Sequence, residues 1–191
     1  MTVAETERLR LRRWLPSDRE PFAQINADPR VMEFFPATLS RDESDAGVDR
    51  IEEHFRKHRF GLCAVELIES GTFIGYIGLM IPGFQAAFTP CVEVGWRLSA
   101  AHWGSGLATE GAAAMVKCAF ESVGLNELVS FTVPANIRSR RVMEKIGMTR
   151  DCAADFDHPN LPAGHPLRRH VLYRLRRSDW QRLGGGPPYA L

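Results

Sequence analysis

Apolar positions change period several times along the chain, and each change marks an element. Between Arg8 and Trp14, Leu9 and Leu11 alternate with arginines, the two-residue period of a half-buried strand. Pro16, Ser17 and Asp18 open a helix. Asp28-Pro29 and Phe35-Pro36 interrupt the next stretch, and the acid-rich segment from Arg41 to Arg59 predicts a second helix with one solvated side. Three strand-like runs come next: Cys63 to Ile68, Thr72 to Met80 and Cys91 to Leu98. A Glu69-Ser70-Gly71 turn joins the first two, which predicts an antiparallel meander. Leu107, Ala108, Ala112, Met115, Val116, Ala119, Phe120 and Val123 then recur at spacings of three and four, a helix stopped by Gly124.

A strand from Leu128 to Val133 follows, and Asn136 caps a short helix that carries Ile137, Val142 and Ile146 and closes at Gly147. Pro159, Pro162, Gly164 and Pro166 make Asp151 to Pro166 a loop. His170 to Arg176 returns to strand alternation, and the chain is expected to close on it. Residues 1–183 read as one domain, with a loose tail at 184–191. A meander followed by alternating strands and helices predicts an α/β (α+β) fold. Its mixed, mainly antiparallel sheet of about seven strands is flanked by helices, with a crossover after the Cys91 to Leu98 strand.

Composition narrows the function. Lys and Arg number 24 against 23 Asp and Glu, a net charge of +1, which excludes a protein built on global attraction to nucleic acid. The longest apolar stretch, Phe73 to Ile81, is too short to span a bilayer. The charged start from Met1 to Arg13 lacks the apolar core of an export signal, so a cytoplasmic protein is expected. Cys63, Cys91, Cys118 and Cys152 form no Cys-x-x-Cys pair and read as free thiols. His54 and His58 lie one turn apart with no third ligand, which reads as a solvated helix face. No metal is expected.

The stretch richest in chemistry runs Val92-Glu93-Val94-Gly95-Trp96-Arg97-Leu98 and, five residues on, Trp103-Gly104-Ser105-Gly106-Leu107-Ala108-Thr109-Glu110: strand, glycine loop, helix. Small residues let the backbone approach a ligand, and the unpaired amides of a helix start attract negative charge, so a phosphate or pyrophosphate suits the loop. It has neither the Gly-Lys-Ser/Thr of a P-loop nor the Gly-x-Gly-x-x-Gly of a dinucleotide fold. Between Asn136 and Arg150, five basic residues face a single acid, a second place for a small polyanion.

This segment resembles motif A of the GNAT superfamily of acetyl-CoA-dependent N-acetyltransferases, particularly the ribosomal-protein N-terminal acetyltransferase (RimJ/RimL-like) branch. Glu93-Val94-Gly95-Trp96-Arg97-Leu98 is similar to the family's fourth strand, and Asn136-Ile137-Arg138-Ser139 through Glu144-Lys145-Ile146-Gly147-Met148 to its Asn-x-x-Ser helix. Leu9 to Arg12 through Asp28-Pro29 fits the branch's opening strand and helix, so the likeness runs from about Arg8 to Arg177. The resemblance implies acetyl-CoA between the fourth and fifth strands and acetyl transfer to an amine, such as a protein N-terminus or a small molecule. Amides from Gly104 to Thr109, with Ser105, Gly106, Leu107 and Ala108 between, would hold the pyrophosphate. Backbone of Trp96, Arg97 and Leu98 would pair with the pantetheine arm, and Asn136 would touch it. Trp103 and Ser105 stand where basic or amide side chains are common in the family, so Arg138, Arg140 or Arg141 is expected to supply the missing charge.

Amine acetylation needs a neutral amine, whereas an alkyl ammonium has a pKa of about 10.4. Glu93 matches the family's acid and is the candidate base. Pairing with Arg97 or another arginine for structure is the alternative. The family's usual tyrosine acid is replaced by Met143, and Ser139 is the candidate proton donor to the departing thiolate. Phe34 and Phe35 could wall the acceptor pocket, and Asp157 and His158, which cluster around the Pro-rich loop with Asp155, His165 and His170, could form its lid. The competing reading is an acyl-CoA-binding module without turnover. Oligomeric state is open, a homodimer included.

Overall fold

Period-two runs become strands and three-four runs become helices in the computed structural model, which describes residues 1–186. The strands are β1 (Thr2–Glu5), β2 (Leu9–Arg12), β3 (Leu62–Leu67), β4 (Phe73–Met80), β5 (Glu93–Leu98), β6 (Glu127–Thr132), β7 (Thr149–Arg150), β8 (Phe156–Asp157) and β9 (Arg169–Arg176). The helices are α1 (Arg19–Ala27), α2 (Arg41–His58), α3 (Leu107–Lys117), α4 (Ile137–Lys145) and α5 (Arg177–Arg182). One sheet runs β1-β2-β3-β4-β5-β6-β9-β7, with β8 also paired to β9. All pairs are antiparallel except β5 with β6, which α3 connects as the crossover. Seven strands have four residues or more, and β7 and β8 have two each.

The helices cover the sheet from both sides. Tyr76 and Ile77 are neighbours on β4 and so point to opposite faces. Ile77 meets α3, where a Cβ on Gly111 would fall 2.5 Å from its Cδ1, so a bare backbone is needed for this close packing. Tyr76 meets α1 through Phe22, ring centroids 5.9 Å apart. α2 buries Ser44, Val48, Ile51 and Phe55 at helical spacing, and a Ser40/Glu43 capping box starts it. A buried ion network ties the strands to α1. Arg12 holds Asp18 through two bonds of 2.6 and 2.8 Å and reaches Glu66 at 2.9 Å.

Several expectations change. β1 pairs with β2 although its four residues carry no clear alternation. β9 is not the last described element: α5 follows it, held by Trp180 against Phe120 at 5.3 Å, and six residues are too few to show a helical period. The helix beginning at Leu107 ends in a π-helical turn, Cys118–Val123, before Gly124. His54 is only half-exposed, and both its ring nitrogens are engaged. Its Nδ1–H donates to the Phe60 carbonyl (2.9 Å) and its Nε2 accepts from the Ile81 amide (3.1 Å), binding α2 to the connection after β4. The proposed tail begins as a turn at Gly184, and residues 187–191 lie outside the described part. No described helix is long and apolar enough to cross a membrane.

Candidate active site

The site begins where two parallel strands part. β5 pairs with β4 along its whole length but with β6 only at Glu93 opposite Val129. The Val92 carbonyl accepts from the Val129 amide at 3.0 Å, whereas Ser99 donates to Ile74 on the β4 side at 2.9 Å. Backbone polar groups alternate sides along a strand, and the bridge at Glu93 uses the Val94 amide, so the Val94 carbonyl and both main-chain groups of Trp96 turn into the widening gap beside β6. Unspent main-chain groups in such a gap can pair with an extended ligand.

At the far end of β5, Gly104 and Gly106 adopt φ of +80° and +82°, conformations that are strained for residues with a side chain. Gly106 is the N-cap of α3, and no side chain caps the helix, so its first amides stay available. The Trp103 indole donates to the Leu98 carbonyl at 2.9 Å and pins the loop to β5. Arg8, at the entrance to β2, braces the loop from behind, donating to the Ser105 carbonyl at 2.9 Å while paired with Glu110 at 2.6 Å. Sequence reasoning missed this cation because Arg8 lies almost a hundred residues away.

A cavity of about 780 Å³ runs along the cavity face of β5, within the range of small-molecule sites. Its walls include Glu93, Trp96, Arg97 and Leu98 of β5, Trp103, Gly104 and Gly106 to Thr109 of the loop and α3, and Asn136, Arg138, Ser139 and Arg141 at α4. Phe34, Phe35 and His158 also line it. Ser105 does not: its hydroxyl is spent on the His102 carbonyl at 2.9 Å. Asp157 is likewise outside the cavity, facing Arg168 and Arg169 at 3.6 and 3.5 Å. Tyr76 and Met80, the cross-strand partners of Arg97 and Glu93, are additional wall residues, findable once the register is known. Phe84, Phe131 and His170 form an aromatic cluster with Phe88, Phe156 and His158, in which Phe84 and His158 are 4.6 Å apart.

Electrostatics distinguishes the wall residues. Glu93 has no hydrogen-bond partner and no ion pair among the described residues, Arg97 included, and burial pushes its carboxyl up to about 8. His158 and His170 are held below their ordinary value by burial, hence neutral near pH 7. Asn136 accepts from the Ser139 amide at 3.1 Å and donates to Thr132 Oγ1 at 3.1 Å, capping α4 and tying it to β6. The Ser139 hydroxyl has no protein partner among the described residues. Met143, at the usual tyrosine position, is buried in the wall.

The cations divide unexpectedly. Arg138 is engaged, with Glu33 at 2.8 Å and its guanidinium 4.4 Å over the Trp103 ring. Arg140 reaches Tyr173 Oη and the Pro134 carbonyl and lies off the cavity. Arg141 and Lys145, four apart on α4, line the cavity with no ion pair among the described residues. No group of three or more metal-ligating side chains occurs among the described residues.

Residues 8–149 match the family model described as an acetyltransferase (GNAT) domain. The FsC-acetyl coenzyme A-N(2)-transacetylase of Aspergillus fumigatus is 30% identical, over 86% of this chain and 72% of that protein. An acetyltransferase structure from Agrobacterium tumefaciens superposes with a TM-score of 0.73 at 29% identity, covering 91% of this chain and 94% of that one. The fold is also that of Mycobacterium smegmatis RimJ, solved in complex with CoA-disulfide (TM-score 0.71, 18% identity, 93% and 88% covered). A parted strand pair, an open helix start and a match over most of its length make this chain a member of the GNAT acetyltransferase family, an acyltransferase that uses acetyl-CoA.

Proposed function

We propose that the enzyme moves the acetyl group of acetyl-CoA to a primary amine by direct attack in a ternary complex. The carrying observation is the unpaired, half-buried Glu93 at the point where β5 and β6 part. A carboxylate with a pKa of about 8 takes a proton far more readily than one near 4.5, and it still ionises near neutral pH. In this reading the diphosphate lies on the amides from Gly104 to Thr109, with Arg141 and Lys145 as the free cations nearby. The pantetheine arm runs along Val94 and Trp96.

The reaction then balances within the cavity. The amine nitrogen attacks the thioester carbon and gives a proton to Glu93, directly or through water. A main-chain amide of β5 holds the carbonyl oxygen as it gains charge. The carbon–sulfur bond breaks, and the Ser139 hydroxyl, unspent and one turn into α4, donates a proton or hydrogen bond to the sulfur. Juxtaposing the two substrates supplies much of the acceleration. The name of the Aspergillus relative, an N(2)-transacetylase, supports nitrogen as the acceptor atom.

The test is thiol release from acetyl-CoA in the presence of an amine and peptide panel. Glu93→Gln should lower kcat by roughly 100-fold to 10,000-fold with CoA affinity kept. Tight CoA binding with no thiol release from any amine would contradict the proposal.

A further inference from the structure

Amine acetylation as described makes no use of the Arg97 side chain, yet that side chain occupies one end of the cavity. Glu93, Gly95 and Arg97 alternate on the same face of β5, with the Cα atoms of Glu93 and Arg97 about 13 Å apart over four strand residues. Gly95 leaves the floor between them bare, and a Cβ there would meet only the Glu93 carboxyl, at 3.6 Å. The floor therefore joins an acid at one end to a guanidinium at the other.

Arg97 is only partly satisfied. Its Nη1 donates to Asn26 Oδ1 at 2.6 Å, and Asn26 is itself fully buried and held by Ser44 at 2.8 Å. The guanidinium carbon lies 4.1 Å from the Phe35 ring centre and 5.5 Å from that of Tyr76. Its Nε is shut off from solvent with no partner. Arg97 takes part in no ion pair among the described residues. Aromatic faces and a neutral amide offset part of the cost of withdrawing a cation from water, and an anion would complete the set. The diphosphate is assigned to the opposite side of β5, at the start of α3. Arg97 instead turns toward Asn26 of α1 and Phe35, the wall left for the acceptor.

We propose that Arg97 receives a carboxylate carried by the acceptor, so that the enzyme's preferred substrates are amines bearing an anionic group. This rests on the reading of the Glu93 end as the place of the amine. The same cation repels a second ammonium group, so polyamines are rejected even though they present primary amines.

The test uses unbranched ω-amino acids of increasing length, their methyl esters and spermidine, each titrated calorimetrically into the CoA-bound enzyme and then assayed for thiol release. An acid of matching length should bind about 10-fold to 100-fold tighter than its ester, the range expected of charge-assisted hydrogen bonds. In Arg97→Met the acid should fall to the level of the ester. Arg97→Lys should restore part of the preference, because it keeps the charge without the planar fork. Peptides with Glu or Ala at the second position, run in parallel, show whether the carboxylate belongs to a small molecule or to a peptide side chain. Equal binding of acids and esters by the unaltered enzyme, or a preference that survives Arg97→Met, overturns the inference. Thiol release with no acid preference sinks this inference alone. Arg97-dependent acid binding with no thiol release from any amine sinks the acetylation reading and leaves the anion site standing.

Discussion

Replacing Glu93 by Gln removes a charge while keeping the shape of the side chain, and its largest measurable consequence outside catalysis is on stability. Burial raises the carboxyl from an ordinary 4.5 to about 8, an interval worth about 5 kcal/mol when both states are fully ionised or protonated. The sign comes from proton counts. Between these two values the folded protein holds a proton that the unfolded chain has released, so stability is fully present below about pH 4.5. It is lost as pH rises, at about 1.4 kcal/mol per pH unit, until about pH 8. Gln cannot ionise and lacks this slope. Urea unfolding of both proteins at pH 5.5 and 7.5 should show the variant gaining on the parent by about 2 to 3 kcal/mol. The same ionisation should make the parent's kcat/KM climb to about pH 8. An unfolding gap that stays constant across this range would refute the raised carboxyl of Glu93.

Other perturbations probe the frame and the loop. Asp18→Ala removes the bidentate partner of the buried Arg12 guanidinium and leaves it to Glu66 alone, which should cost about 2 to 3 kcal/mol in urea unfolding, with the activity of the remaining folded protein little changed. Gly106→Ala forces a side chain into φ +82° and should destabilise by about 1 to 2 kcal/mol while weakening CoA binding in calorimetry. Arg141→Ala and Lys145→Ala should each weaken CoA about five-fold and flatten its salt dependence, because neither has a protein counter-ion among the described residues. Arg140→Ala, off the cavity, should leave CoA affinity unaltered.

The parts of the site readable in the sequence are those set by local period and backbone geometry. Strand alternation separates Glu93 from Val94 and Trp96, and the glycine loop is legible because a positive φ before α3 demands glycine. Asn136 is recognisable as a cap for the same reason: its partner, the Ser139 amide, is three residues away. The rest depends on distant segments meeting. Nothing near Arg97 in sequence announces Asn26 and Phe35, and the aromatic end of the cavity draws Phe84, Phe131, Phe156 and His170 from four separate stretches. Arg138 is instructive in the other direction. Its position on α4 suits a phosphate ligand, but Glu33 and the Trp103 ring, both remote in sequence, already engage it. The short elements stay hidden for local reasons: β7 and β8 have two residues each, the four residues of β1 show no alternation, and the six of α5 make fewer than two helical turns.

The most direct test is a crystal structure of the enzyme with acetyl-CoA. The diphosphate should lie on the main-chain nitrogens between Gly104 and Thr109, the pantetheine arm alongside Val94 and Trp96, and the acetyl carbonyl next to Glu93. A cofactor bound elsewhere, or a gap between β5 and β6 closed by side chains with the nucleotide in place, would contradict the acetyl-CoA site described for this fold.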